Sequence, residues 1–148
     1  MTFKCLSFNE LNLQQLYDIM RLRQEVFVVE QNCAYLDTDG NDEASFHLIG
    51  YNEEMEMVAY ARLLPKGLTY PNYASIGRVV VSPKARGRGL GKLLMKETLR
   101  QTEVLFKKDG IKISAQYHLV QFYEDLNFKV VGDKYLEDDI LHISMIFK

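Results

Sequence analysis

The stretch 76–91, IGRVVVSPKARGRGLG, joins a run of β-branched residues to a basic, glycine-rich loop. The run 76–81 is rich in valine and too short for a typical helix, so it predicts a buried central strand. Glycines at the alternate positions 87, 89 and 91 exclude the interior of a strand or helix. Apolar residues at helical spacing follow, so a helix begins at this loop.

A loop between a strand and a helix start can bind a phosphate. The first turn of a helix leaves backbone N–H groups without intrahelical partners, and glycine lets an anion approach the backbone closely. Arg86, Arg88 and Lys92 would add charge-assisted hydrogen bonds. The alternative interpretation is a glycine-rich turn whose basic side chains are solvated.

Two common phosphate loops are excluded by the positions of their defining residues. The dinucleotide fingerprint G-x-G-x-x-G needs two residues between its second and third glycines, whereas one residue separates Gly89 from Gly91. A Walker A loop needs serine or threonine after its Gly-Lys pair, and Leu93 stands there.

The rest of the chain predicts the order β-α-β-β-β-α-β-α-β-β, a mixed α/β sheet with helices on its faces. Asn12 and Gln15 form an N-cap and N3 pair for the first helix, whose apolar positions continue to Phe27. Residues 30–43 lack periodicity and predict an irregular loop. The predicted strands are 2–7, 45–51, 56–64, 76–81, 111–116, 128–135 and 141–147, and the later helices are 90–105 and 118–126.

Length and composition predict a single domain covering residues 1–148, because single domains usually have about 100 to 200 residues. The net charge of -2 gives no reason to expect nucleic acid as a partner. No signal-peptide run begins the chain and no apolar stretch approaches the roughly 20 residues that span a bilayer. We therefore expect no membrane association, a cytoplasmic location, and reduced thiols at Cys5 and Cys33.

The segment 86–91, RGRGLG, resembles motif A of the GCN5-related N-acetyltransferases (GNAT), whose pattern is Arg or Gln, x, x, Gly, x, Gly or Ala. The strand IKISAQ and the segment HLVQFYEDLNF follow in that family's order, with Asn127 where the family's FYxxxGF segment has glycine. The runs 22–31, 35–40 and 137–142 are similar to the ElaA-like branch. The resemblance covers most of the chain.

The resemblance implies the GNAT fold, a mixed, mostly antiparallel sheet of about six to seven strands splayed between two central parallel strands, here 76–81 and 111–116. Acetyl-coenzyme A (acetyl-CoA), the implied cosubstrate, would lie in the V between these strands. The first strand would pair with its pantetheine arm, and the loop would hold its pyrophosphate. The residues expected to bind it are Val79, Val80, Val81, Arg86, Gly87, Arg88, Gly89, Leu90, Gly91 and Lys92.

The resemblance also implies an acyltransferase that moves the acetyl group to a primary amine by direct attack in a ternary complex. Tyr123 matches the family's tyrosine that protonates the departing thiolate. A phenol with a reference pKa of about 10 stays protonated at neutral pH and can do this. The alternative for Tyr123 is a core aromatic with a hydrogen-bonded hydroxyl.

The acceptor's ammonium must lose a proton before its nitrogen can attack, so a base or a water chain is expected nearby. Glu137 and His142 are the candidates for this base, and a structural histidine in a terminal strand is the alternative for His142. Glu30, Asp138 and Asp139 are further acids that could act.

The acidic loop 37–43, DTDGNDE, is expected either to be a set of solvated loop acids, which is the default, or to attract a cationic amine toward the cleft. It does not match a calcium-binding EF-hand, because Asp42 and Leu48 stand where that loop needs glycine and glutamate. We expect no metal.

Two alternatives keep the fold and change the function. Arg23, Phe27, Asp39 or Asp42 and the run 62–65 also resemble the acyl-homoserine lactone synthases, although those enzymes typically carry an early tryptophan and this chain has none. A sensor that binds acyl-CoA without turnover would keep the loop and need no base. The sequence leaves open whether the acceptor is a small molecule, a peptide or a protein, and whether the chain forms a homodimer.

Overall fold

The computed structural model describes residues 1–107 and 109–148, and the order of its strands and helices is the predicted one. The first four strands and two helices are β1 Thr2–Ser7, α1 Leu13–Arg23, β2 Phe46–Tyr51, β3 Met57–Leu64, β4 Ser75–Val81 and α2 Leu90–Phe106. The remaining elements are β5 Ile111–Gln116, α3 Val120–Glu124, β6 Lys129–Glu137 and β7 Ile140–Phe147.

The strands form two antiparallel sheets that meet at one point. The first sheet has the order β1-β2-β3-β4, and the second has the order β5-β7-β6. Strands β4 and β5 run parallel and are joined at their start, where the Lys112 amide donates to the Ala74 carbonyl (2.9 Å) and the Ala74 amide donates to the Gly110 carbonyl (3.1 Å). Beyond Ser75, whose hydroxyl donates to the Lys112 carbonyl (2.7 Å), the two strands diverge. This confirms the expected sheet splayed between two central parallel strands.

Helix α1 begins where its sequence predicts. The Asn12 side chain accepts from the Gln15 amide (2.7 Å) and the Gln15 side chain accepts from the Asn12 amide (2.9 Å), which is a capping box. The predicted helix changes its winding after Arg23, because residues Gln24–Glu30 form a wider π-helix. The Gln31 amide bonds the Val26 carbonyl (3.0 Å) at that wider spacing.

The helix predicted at 118–126 is shorter in the structure than expected. A 3₁₀ turn, Tyr117–Leu119, precedes the short helix α3, and α3 ends at Glu124. Asn127, which replaces the glycine of the family pattern, has a φ of 74°. Asparagine is one of the few residues that adopt this left-handed conformation readily, so the turn forms without glycine.

Helices cover the two sheets unequally. Helix α1 packs against one face of the first sheet with Ile19 and Leu22, and α2 packs against the other face with Leu94. Helices α2 and α3 also cover one face of the second sheet, where Ile113 and Ile143 are buried. On the opposite face of β5 lie Lys112, Ser114 and Gln116, which are only partly buried. We call this the polar face of the second sheet, and it borders the cleft described below.

Within the described residues, no helix is long and apolar enough to cross a membrane.

Candidate active site in the cleft between β4 and β5

The divergence of β4 and β5 opens a cleft of about 1120 Å³. A smaller cavity of about 340 Å³ lies over the glycine-rich loop at the start of α2. The two cavities share wall residues and therefore adjoin, and we call the two together the channel. The shared residues are Val79, Val80, Val81, Arg86, Leu119 and Tyr123.

The cavity over the loop is lined by all but one of the residues predicted to bind the cofactor, and Arg88 is the exception. Gly87 and Gly89 have φ angles of 85° and 72°, which L side chains rarely adopt. A Cβ atom at either position would have no neighbouring heavy atom within 4 Å. The space above the loop is therefore open to a ligand, and the backbone conformation explains the glycines.

The N-terminus of helix α2 faces this cavity. Gly89 is its N-cap residue, and the Leu93 amide is the first to bond back, to the Gly89 carbonyl (3.2 Å). The amides of the first turn, from Leu90 to Lys92, have no partner within the helix. Together with the helix dipole, they make an anion site.

Arg86 differs from its predicted role as a free phosphate ligand. Its guanidinium forms two hydrogen bonds with the Glu30 carboxylate (2.6 and 2.7 Å) and one with the Val81 carbonyl (3.1 Å). The Arg86 hydrogen bonds lower the pKa of Glu30, which makes Glu30 unsuited to act as a base. The pair connects the end of the π-helix to the loop.

Tyr123 lies where the two cavities of the channel adjoin. Its ring packs edge-on against Phe122 (5.2 Å between centroids) and Phe128 (5.6 Å), and only 7% of the residue is exposed. Within the described residues its hydroxyl has no hydrogen-bonding partner, yet it is not a fully enclosed polar atom. Burial raises the pKa of Tyr123 to about 12. The ring is a core aromatic, but its hydroxyl lacks the hydrogen bond that the core interpretation expected, and the role of general acid stays a prediction.

Glu137 and His142 come together at the rim of the polar face. The His142 Nε2 atom lies 3.5 Å from the Glu137 carboxylate, and the ring stacks on Tyr135 (6.2 Å between centroids). The Ser114 hydroxyl donates to Glu137 (3.3 Å) and is also hydrogen-bonded to the Tyr135 hydroxyl. Sequence reasoning missed Ser114 and Tyr135, because nothing in the local pattern of β5 or β6 separates them from ordinary strand residues.

Three of the four acids of the loop 37–43 pair with arginines inside the protein. Arg23, which is fully buried, bonds Asp37 (2.7 Å) and Asp42 (2.7 Å). Arg62 bonds Asp39 (2.7 Å) and Asp42 (2.9 Å). The fourth acid, Glu43, is exposed, and the attraction of a cationic amine by this loop stays a prediction.

The same cluster extends to the cleft wall through Arg78. Strand β4 has an irregular register opposite β3, and Arg78 has a φ of 51° there. Its side chain bonds Asp37 (2.8 Å) and lies over the Tyr35 ring (5.6 Å). Burial would raise the pKa of Asp39, but the hydrogen bonds from Arg62 and the Asn41 amide hold it well below the ordinary value. We call Arg23, Arg62, Arg78, Asp37, Asp39 and Asp42 the arginine–aspartate cluster.

No group of three or more histidine, cysteine or acidic side chains suited to a metal occurs in the part of the chain that the structure describes.

Comparison with known proteins assigns the family. A family model for the acetyltransferase (GNAT) domain matches residues 14–148. An uncharacterised UPF0039 protein of Synechocystis is 43% identical over 95% of this chain and 91% of its own length. The protein ElaA of Escherichia coli is 42% identical over 95% of this chain and 92% of its own length.

Solved structures agree with this match. An acyl-CoA N-acyltransferase from Pseudomonas aeruginosa superposes with a TM-score of 0.90 at 40% identity, covering 99% of both chains. The crystal structure of E. coli ElaA gives a TM-score of 0.91 at 39% identity, again over 99% of both chains. The AHL synthase LasI, at 11% identity and a TM-score of 0.77, shares the fold alone. The chain belongs to the GNAT acetyltransferase family, in its ElaA-like branch.

Proposed function

We propose that this protein is an N-acetyltransferase that transfers the acetyl group of acetyl-CoA to a primary amine. The observation that carries this proposal is the channel from the anion site at α2 into the cleft, with the Tyr123 hydroxyl at the junction. The channel supplies a place for phosphates at one end and for a reacting thioester further in. An acceptor can enter from the polar face of the second sheet.

The backbone provides most of the proposed cofactor site. The pantetheine arm would run along the unpaired edge of β4, where Val79, Val80 and Val81 line both cavities. The pyrophosphate would accept hydrogen bonds from the amides of the loop and of the first turn of α2. Lys92 lines the same cavity and adds positive charge.

The reaction is a direct transfer between two bound substrates. The amine nitrogen attacks the thioester carbonyl, a C–N bond forms, and the C–S bond breaks as the tetrahedral intermediate collapses. Tyr123 donates its proton to the departing thiolate, and the acceptor releases one proton to Glu137, His142 or water held by them. The net reaction converts an ammonium and acetyl-CoA into an amide, free coenzyme A thiol and one proton.

Two other functions remain as alternatives with the same fold. The acyl-homoserine lactone synthase hypothesis draws on Arg23, Asp42 and Arg62, yet these residues bond one another inside the protein. A silent acyl-CoA sensor would need the loop but not the Tyr123 hydroxyl or the paired Glu137 and His142.

The test is turnover of acetyl-CoA by the purified protein with a panel of primary amines, followed through release of the coenzyme A thiol. The proposal predicts amine-dependent thiol release and an acetylated product of 42 Da added mass, about the mass of an acetyl group less a hydrogen. Binding of acetyl-CoA without product from any amine would favour the sensor and contradict the proposed function.

A further inference from the structure

The charged side chains that line the cleft are not balanced. Its cations are Arg62, Arg78 and Arg86, and each is already bonded to an internal carboxylate. Its acids include Glu137 and Asp138, which have no lysine or arginine partner within the described residues. The cleft therefore presents uncompensated negative charge at the turn between β6 and β7.

The two neighbouring lysines do not line the cleft, so they do not cancel this negative charge there. Lys112 lies over the Tyr70 ring (4.8 Å from its centroid), and Lys134 lies over the Tyr117 ring (4.6 Å). Neither lysine is among the residues that form the cleft wall. The other titratable side chains of the wall near this turn are Tyr70, His118, His142 and Cys33, whose thiol donates to the Asp138 carbonyl (3.4 Å).

Glu137 is held in place by neutral hydroxyl groups. The Ser114 hydroxyl donates to one carboxylate oxygen (3.3 Å), and the Tyr135 hydroxyl is hydrogen-bonded to Ser114. The Glu137 side chain is half exposed, so its second oxygen is accessible from the cleft. The carboxylate is thus oriented without being neutralised.

His142 places a ring nitrogen beside the same carboxylate. Its Nδ1 atom is 2.7 Å from the Ile140 carbonyl, and because a carbonyl oxygen only accepts, Nδ1 carries a proton. The Nε2 atom lies 3.5 Å from the Glu137 carboxylate, and no hydrogen bond to Nε2 occurs within the described residues. Both residues line the cleft, so Nε2 and the oriented carboxylate lie together at its wall.

We propose that the acceptor binds as an ammonium between the Glu137 carboxylate and His142 Nε2, and that its amine carbon bears no carboxylate. This rests on the proposed function. Glu137 is the binding group, His142 Nε2 accepts the proton that leaves the ammonium, and Ser114 and Tyr135 are positioning residues. The class of acceptor is an alkylamine or a side-chain amine.

An α-amino acid is excluded by the same charges. Its carboxylate would lie one carbon from the bound ammonium, beside Glu137 and Asp138, and like charges at an interface cost several kcal/mol. Arg62 and Arg78, which could otherwise pair with that carboxylate, are engaged by the arginine–aspartate cluster.

The test compares matched amines that differ only by the α-carboxylate: pentylamine with 2-aminohexanoate, and phenethylamine with phenylalanine. We expect kcat/KM for each amine to exceed that for its amino acid by at least about tenfold. Glu137→Gln should raise the KM for pentylamine by about tenfold or more and leave the acetyl-CoA-dependent rise in Tm unchanged. His142→Gln should lower kcat more than it raises KM.

Glu53→Gln is the matched control, because it removes the same charge from an exposed turn between β2 and β3. It should change none of these constants. Amino acids used as well as their amines, or an unchanged pentylamine KM in Glu137→Gln, would overturn this proposal while acetylation itself persists. A protein that binds acetyl-CoA but acetylates no amine would instead overturn the proposed function, and this proposal with it.

Discussion

The two ends of the cleft are built in different ways. The proposed cofactor end consists of backbone amides on one continuous segment, the loop and first turn of α2. The proposed acceptor end consists of side chains from β5, β6 and β7, which are far apart in the sequence and are brought together by strand pairing. The proposed anion site therefore follows from local glycine spacing, whereas the proposed acceptor site depends on the register of a whole sheet.

The arginine–aspartate cluster joins α1, β3 and β4 to the loop 37–43, and its loss gives the largest expected effect on stability. Arg23→Met removes a fully buried guanidinium that bonds Asp37 and Asp42. Two buried carboxylates lose a partner, so the free energy of unfolding in urea should fall by about 3 to 5 kcal/mol.

Arg100→Met is the control for this variant, because Arg100 pairs with Glu97 at the exposed surface of α2. Its unfolding curve should match that of the wild type. A loss in Arg23→Met no larger than in this control would show that the cluster does not stabilise the fold.

Tyr123 joins the two ends, so its loss should separate chemistry from binding. Tyr123→Phe keeps the ring contacts with Phe122 and Phe128 and removes only the hydroxyl. We expect kcat to fall about 100-fold, because general acid catalysis contributes at least that much, with acetyl-CoA binding unchanged.

The measurement is steady-state kinetics beside the acetyl-CoA-dependent shift in Tm. Tyr51→Phe is the control, because Tyr51 is a buried tyrosine of the hydrophobic core against α1. It should have wild-type kcat. Equal turnover in Tyr123→Phe and the wild type would leave Tyr123 as a core aromatic alone.

Much of the fold follows from the sequence, and much of the acceptor site does not. The capping box of Asn12 and Gln15 and the bounds of β5 depend on neighbouring residues, so local patterns predict them. The pairing of Arg23 with Asp42 and of Ser114 with Tyr135 spans strands and loops, and one sequence does not specify which charged groups meet. For this reason the sequence did not predict that Asp37, Asp39 and Asp42 pair with arginines inside the protein.

A moderate pH effect should arise at His47, beneath the arginine–aspartate cluster. Its Nε2 donates to the Asp42 carbonyl (2.9 Å) and its Nδ1 accepts from the Tyr60 hydroxyl (2.6 Å), so the buried ring is held neutral. Burial lowers the pKa of His47 below its value in the unfolded chain.

The unfolded chain therefore binds more protons at His47, and folding stability falls as pH drops below about 6.5. His47→Gln should lose less stability than the wild type between about pH 6.5 and 5, as measured by urea unfolding at each pH. Parallel curves for the two proteins would contradict the assignment of a neutral buried ring.

The smallest expected effect concerns the Arg86–Glu30 pair, which joins the glycine-rich loop to the end of the π-helix. Glu30→Gln frees the Arg86 guanidinium from a half-exposed ion pair, so that it can turn to the pyrophosphate. Acetyl-CoA should then bind about twofold to fivefold more tightly, as measured by calorimetry. Weaker binding would show that Glu30 holds Arg86 in its productive position.

Gly89→Glu tests the proposed backbone anion site at the start of α2. Gly132→Glu is its matched control, because both glycines have positive φ and open space at the Cβ position. Acetyl-CoA at about 100 times its Kd should stabilise the wild type and the control by about 2.7 kcal/mol, raising Tm. We expect no such rise in Gly89→Glu, and a rise equal to that of the wild type would contradict the anion site.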